Sequence, residues 1–251
     1  MTTELAGRTA LVTGAARRLG RAIALGLAGC GANVVIHYRA SERDAHALAE
    51  QIESMGVRAW ALRADLAVGQ ELETLIDRSR ASAGTIDILV NSASIYPSSD
   101  FGSLAPAELA ESIHINAWAP FVLARHFARQ TQSGHIVNIL DSRITGYDWS
   151  HVAYHSSKCL LELFTRMMAL HYAPNIAVNA VAPGLILPPE GKDESYLEQL
   201  KDTLPLKRIG TTQDVADAVV FLAASRFITG QVIFVDGGRH LAEADRGQDT
   251  Y

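Results

Sequence analysis

Cysteine is scarce in this chain: Cys30 and Cys159 are the two among 251 residues. Two thiols cannot build a disulfide framework, so an apolar core must hold the fold, and a reducing compartment is the simpler setting. Long hydrophobic runs are also missing. The most apolar windows, such as Ala216 to Ala224, fall far short of the roughly 20 residues that cross a bilayer. The opening residues lack a basic stretch followed by an apolar one. A cytoplasmic protein with no membrane partner is therefore expected. No basic excess is present: the formal charge is −5, with acids and bases interspersed. That argues against nucleic acid as a partner, because phosphate binding wants a basic face. Internal repeats and low-complexity segments are absent too, and no composition shift marks a boundary. A hydrophobic content of 48% and a charged content of 20% suit one domain spanning 1–251.

What the chain does have is an alternation of short apolar runs with helix-length periodic stretches. The runs are Thr9–Val12, Asn33–His37, Val57–Leu62, Ile86–Val90, His135–Leu140, Ile176–Val181 and Gln231–Val235. Helices are expected over Arg18–Cys30 and Glu42–Met55, among others. Strands spaced in this way imply right-handed crossovers and a parallel α/β sheet of about seven strands, covered by helices on both faces. An irregular loop is expected from Leu185 to Lys192, and a weakly structured tail from Arg239 to Tyr251.

The turn after the first strand reads Thr13-Gly14-Ala15-Ala16-Arg17-Arg18-Leu19-Gly20, and a helix opens within it. Glycines there let a backbone approach a pyrophosphate, and the helix N-terminus offers free N–H groups and partial positive charge. A plain strand-to-helix turn would carry similar glycines. The usual middle glycine is replaced by Arg18. At the end of the second strand no carboxylate stands ready to hold a ribose 2′-hydroxyl. The run is His37-Tyr38-Arg39-Ala40-Ser41. Arg39 and Ser41 can hold a 2′-phosphate, and Arg17 and Arg18 add charge nearby. NADPH is favoured over NADH.

Tyr154-His-Ser-Ser-Lys158 places a phenol and an ammonium one helical turn apart. The nearby positive charge should lower the phenol pKa and suit Tyr154 to proton donation near neutral pH. Combined with the upstream glycine turn, this pair is specific.

On these motifs the chain resembles the short-chain dehydrogenase/reductases over nearly its whole length. Thr13-Gly14…Gly20, Asp65-Leu66, Asn91-Ser92-Ala93-Ser94, Asn116, Tyr154/Lys158, Pro183-Gly184 and Val235-Asp236-Gly237-Gly238 carry the resemblance. It implies a Rossmann-type doubly wound fold, hydride transfer from a nicotinamide and a homotetramer. It also implies that Tyr154 is the acid and that Lys158 lowers its pKa and binds the nicotinamide ribose. Asn116 would support a relay water. Asp65 and Leu66 would meet the adenine, and Asn91, Ser92, Ala93 and Ser94 would line the cofactor ribose.

The chain departs from that pattern at one chemically telling place. The family's serine, thirteen positions before the tyrosine, is replaced by Asp141, with Ser142 following. An ionised carboxylate would repel a carbonyl becoming alkoxide. At about 4 Å and an effective dielectric near 20, the interaction is about 4 kcal/mol. Such a site suits a substrate that presents N–H groups or takes a proton on nitrogen. The glycine turn, the His37–Ser41 run, Ser94-Ile95-Tyr96-Pro97, Val181–Pro189 and the Asp141/Tyr154 spacing resemble the pteridine reductases in particular. That resemblance implies a pteridine or folate substrate, with Tyr96 stacking on the pterin, Ser94 bonding to it or to a cofactor phosphate, and Arg18 facing both. The threonine usual after Pro183-Gly184 is missing, so carboxamide binding falls to backbone groups near Leu185 and Ile186. Two rivals remain: a carbonyl or 3-oxoacyl reductase using Ser142, and a protein that senses NADPH without turnover. His151 and His155 have metal-like spacing but lack a third ligand, so no metal site is expected. His151 could still border the substrate pocket. Cys159 reads as a small core residue, and Tyr147 and Trp149 as pocket lining or loop packing.

Overall fold

The computed structural model describes residues 4–189 and 191–243. Among these, seven parallel strands form one sheet: β1 (Thr9–Val12), β2 (Asn33–Tyr38), β3 (Ala59–Arg63), β4 (Ile88–Asn91), β5 (Gly134–Ile139), β6 (Ile176–Pro183) and β7 (Val232–Val235). Their order is β3-β2-β1-β4-β5-β6-β7. The order reverses between β1 and β4, which leaves a crevice at their carboxyl ends where ligands of such sheets bind.

The strands read as nearly continuous apolar runs because both faces are covered. Successive residues point to opposite sides. Val12, Val34, Ile36 and Val90 pack with Ile23, Leu27, Leu48 and Val219. Those partners come from helices α1 (Arg18–Gly29), α2 (Glu42–Ser54) and α8 (Thr212–Ala224). Leu11, Val35, Leu89 and Ile136 face the other way, onto Leu75, Leu123, Phe127 and Met168. These belong to α3 (Gly69–Ala83), α5 (Ala119–Gln130) and α6 (Val152–His171).

Between α4 (Pro106–Ile113) and α5 the chain runs as a π-helical segment, His114–Trp118. A 3-10 turn, Ser142–Thr145, follows β5, and α7 (Glu194–Leu200) follows the loop after β6. The strand boundaries differ from the sequence reading by one or two residues at most ends. One expectation is corrected: Arg239–Glu243, assigned to a weakly structured tail, forms a short helix, α9. Its start is tied by the Asp236 carboxylate, which accepts from the His240 N–H at 2.7 Å and bonds its ring nitrogen at 2.8 Å. Residues 244–251 of that expected tail lie outside the described residues. No helix of the described residues is long and apolar enough to cross a membrane.

Candidate active site

The turn after β1 is shaped by close backbone approach. Gly14 has φ +64°, and a Cβ there would sit 3.0 Å from the Ala93 Cα. A Cβ on Gly20 would fall 2.3 Å from the Gly14 carbonyl oxygen, so the opening of α1 can lie on the turn only without a side chain. Arg18, in the place of the usual middle glycine, keeps the left-handed conformation a glycine would take, with φ 53°. For an L-residue this costs about 1–2 kcal/mol.

Thr13 ties this turn to the loop after β4. Its Oγ1 accepts from the backbone N–H groups of Ser92 and Ala93, both at 3.0 Å. His37 ties it to β2. The Gly14 N–H donates to His37 Nδ1 at 3.1 Å, and Nε2 bonds the Ala64 carbonyl at 3.0 Å. Burial of the ring pushes His37 down from 6.5 to about 4, against the bond to the Ala64 carbonyl, which pulls the other way. The unfolded chain therefore binds more protons than the folded one between those values, and stability falls as pH drops through that window. A loss of roughly 2 kcal/mol from this residue by pH 5 is expected. Urea unfolding at pH 7 and pH 5 checks it: His37→Asn should be less stable at pH 7 but should shed this acid-dependent component.

The resulting cleft, of about 520 Å³, is lined by Gly14, Arg17, Arg18, Leu19 and Gly20 on one wall and Tyr38, Arg39 and Ser41 on the next. Asp65, Leu66, Ser92, Ala93 and Ser94 close it. The α1 N-terminus has no side-chain cap and no acid in its first turn, so its N–H groups and dipole are left for an anion. Arg17 lies 3.8 Å from Asp44, an exposed and loose pair. Asn91 is buried in the sheet instead, donating to Asn138 Oδ1 at 2.8 Å.

A second cleft, of about 250 Å³, shares Arg18, Leu19, Ser92 and Ser94 with the first. It is completed by Tyr96, Asp141, Tyr154, Lys158, Pro183, Gly184 and Ile186. Arg18 reaches across to donate to the Pro188 carbonyl. Leu185 turns away from the cleft into a small core with Leu197 and Leu204.

The Tyr154 hydroxyl donates to Asp141 Oδ2 at 3.0 Å. The other carboxylate oxygen accepts from the Arg143 N–H at 2.8 Å, capping the 3-10 turn. Ser142 is fully buried, and its hydroxyl has no protein partner. Lys158 donates to the Ile139 carbonyl at 2.8 Å. Burial lowers Lys158 to about 8, with the Asp141 charge pulling the other way. The expected lowering of the Tyr154 pKa is corrected: burial, then the Asp141 charge and hydrogen bond, raise it well above 10. The phenol holds its proton throughout the neutral range, because burial and the near carboxylate both disfavour the phenolate, while the Lys158 ammonium sits 5.6 Å from the ring centroid.

Asn116 is held on the π-helical segment, a wider turn often found at functional sites. Its Oδ1 accepts from the Ser94 hydroxyl at 3.0 Å and the Ile95 N–H at 2.9 Å. Its Nδ2 donates to the Ile95 carbonyl and Ser157 Oγ, both at 3.0 Å. The side chain is saturated and has no bond left for a relay water. Tyr96 stacks on His151, with centroids 4.1 Å apart, and meets Tyr154 edge-on at 4.6 Å. His151 is held by Asp148, which also pairs with Arg143, and Arg143 bonds Tyr96. Sequence reasoning quoted Thr13 and His37 only within their runs, without the tying roles seen here, and missed Arg143 and Asp148. Among the described residues no group of three or more His, Cys, Asp or Glu is arranged around a metal position.

A family model described as "Enoyl-(Acyl carrier protein) reductase" matches residues 14–240. The 3-oxoacyl-[acyl-carrier-protein] reductase FabG of Staphylococcus epidermidis is 34% identical over 242 residues, 93% of this chain and 99% of the relative. The 3beta-hydroxysteroid dehydrogenase 1 of Eggerthella lenta is 34% identical over 250 residues, 95% of each chain. Among solved structures, FolM Alternative dihydrofolate reductase 1 from Brucella suis, in complex with NADP, superposes with a TM-score of 0.90. It is 34% identical, covering 94% of this chain and 96% of that one. With this fold and this site, the chain belongs to the short-chain dehydrogenase/reductase family and is an oxidoreductase of that type.

Proposed function

We propose that this protein is an NADPH-dependent reductase of pterin-type C=N bonds, acting on a pterin, a dihydropterin or a dihydrofolate. The observation that carries the reading is the Asp141 carboxylate on the Tyr154 hydroxyl, inside the cleft where the family's serine is expected. The FolM likeness supports it, since that structure is described as an alternative dihydrofolate reductase.

The first cleft fits the dinucleotide. The uncapped α1 N-terminus and the glycine turn suit its pyrophosphate, and Arg39 with Ser41 suits a 2′-phosphate. When bound, NADPH supplies the hydride. Lys158, held on the Ile139 carbonyl, has N–H groups left for the nicotinamide ribose. Tyr154 gives its proton to the substrate nitrogen next to the reduced carbon. A bare phenolate 3.0 Å from an ionised Asp141 would be strongly disfavoured. Tyr154 therefore keeps its proton until a basic substrate nitrogen takes it. The Asp141 carboxylate accepts a substrate N–H.

In Asp141→Ser, kcat/KM for dihydropterin should fall about 10- to 100-fold, the scale of a lost charged hydrogen bond. An unchanged value would remove the role given to Asp141. A second reading, reduction of 3-oxoacyl thioesters, draws on relatives of that name. The buried position of Ser142 counts against it. Following NADPH oxidation with a pterin, a dihydropterin, dihydrofolate and a 3-oxoacyl thioester separates the two, and turnover of the thioester alone would sink the pteridine reading.

A further inference from the structure

Asp148 lies on the loop between the 3-10 turn and α6, and its side chain is only 4% exposed. Taking a carboxylate out of water costs several kcal/mol unless close partners offset it. Oδ1 accepts from the backbone N–H groups of Ser150 and His151 and from the Ser150 hydroxyl, all at 3.1 Å. Oδ2 accepts from the Arg143 guanidinium. The His151 ring nitrogen Nδ1 stands 3.3 Å from the carboxylate. Burial pushes the Asp148 carboxyl up, but Arg143 and then His151 outweigh it and hold it below its ordinary value. The charge is kept, and it grips two side chains at once.

Both of those side chains bear on Tyr96. His151 stacks on one face of its ring, with the planes 13° from parallel. Arg143 bonds its hydroxyl. Fixed by a face and by its polar tip, the ring stands at 89° to Tyr154. Without those contacts a ring that is 38% exposed could turn among its staggered side-chain positions. The backbone beneath is fixed separately. The Ser99 N–H donates to the Ser150 carbonyl at 2.8 Å, and the Val152 N–H to the Ser99 carbonyl at 3.0 Å. The Arg143 backbone bonds Asp141, so one arginine touches both the carboxylate on Tyr154 and the ring beside it. Tyr147 and Trp149, by contrast, do not line the cleft; they are exposed and pack on each other, centroids 5.8 Å apart.

We propose that Asp148 is a positioning residue for the reductase. Through His151 and Arg143 it holds the Tyr96 ring at the angle that makes it a wall of the substrate cleft, and it governs substrate binding without touching substrate. The proposal rests on the reading of that cleft as the pteridine site.

Asparagine is the sharpest replacement. Its amide oxygen still accepts the Ser150 and His151 N–H groups at the start of α6, whereas the charge that fixes Arg143 is gone. In Asp148→Asn, KM for dihydrobiopterin should rise about tenfold, the scale of one ring contact, with kcat within about twofold. The split follows because a wall contact is made alike in the ground and transition states. In a Tyr96→Ala background the same substitution should change KM by less than about twofold more, since the group it acts through is gone. A merely structural role would show its full effect there; that result, or an unchanged KM in the single variant, overturns the proposal. Should Asp148→Asn fail to fold, His151→Ala, which leaves the Arg143 pair intact, takes its place: its KM effect should likewise vanish without the Tyr96 ring. A further measurement needs no turnover. In NADPH-loaded protein carrying 3-fluorotyrosine, the Tyr96 signal is identified by its loss in Tyr96→Phe. Asp148→Asn should shift or broaden it, and a signal unchanged in position and width overturns the proposal. If the wild type reduces no dihydropterin while that signal responds, the pteridine reading fails and the positioning role stands.

Discussion

Replacing Tyr154 with phenylalanine should lower kcat by about a thousandfold, within the range for a lost general acid, while NADPH affinity changes little. The ring, its edge contact with Tyr96 and its packing all survive; only the hydroxyl that donates to Asp141 goes. The pH profile gives a second check. Lys158 is lowered to about 8, so the wild-type rate should decline as pH rises through that value and the ammonium loses its proton. Tyr154 itself, held well above 10, should contribute no ionisation on the acid side. Stopped-flow NADPH oxidation across pH 6 to 9 measures both. A Tyr154→Phe variant retaining about a tenth of wild-type kcat would show that the proton comes from elsewhere.

Gly20→Ala is the other large effect. The added methyl would lie 2.3 Å from the Gly14 carbonyl oxygen, 2.9 Å from its carbon and 3.0 Å from the Ala15 Cα. All three are backbone atoms, so no side chain can swing aside. The turn must move, at a cost of about 1–3 kcal/mol, and it moves where the pyrophosphate is expected to sit. NADPH should bind roughly 100-fold more weakly, with a lower Tm in the apo protein. Gly56→Ala makes a contrasting control, since a Cβ there meets nothing within 4 Å, although its φ of +88° still strains an alanine. Unchanged NADPH affinity in Gly20→Ala would mean that the dinucleotide does not lie on this turn.

Much of the fold was legible because the central strands are buried on both faces and the long helices on one. The apolar runs and the helical periodicity are direct consequences of that burial. The Arg18 conformation was half legible: the missing glycine could be seen, but not that arginine would keep the left-handed backbone. His37 was read as part of a cofactor-facing run, whereas it points inward, since its partners Gly14 and Ala64 come together only across the sheet. The Tyr154 pKa was misjudged for the same reason. Helical spacing put Lys158 in view, but burial and Asp141's short contact follow from tertiary packing. Asp148 carried no motif at all. Its importance lies in bringing Arg143 and His151 together from a single loop.

The saturated Asn116 amide acts as a rivet. It fastens the loop at Ser94 and Ile95 to Ser157, on the same helix as Tyr154 and Lys158. The ring that borders the cleft and the acid that serves it are thereby parts of one body, and their separation belongs to the fold rather than to the state of any loop. Substrates are then sorted by whether they fit a fixed gauge, and adjustment falls to the opposite wall, where Arg18 meets the Pro188 carbonyl.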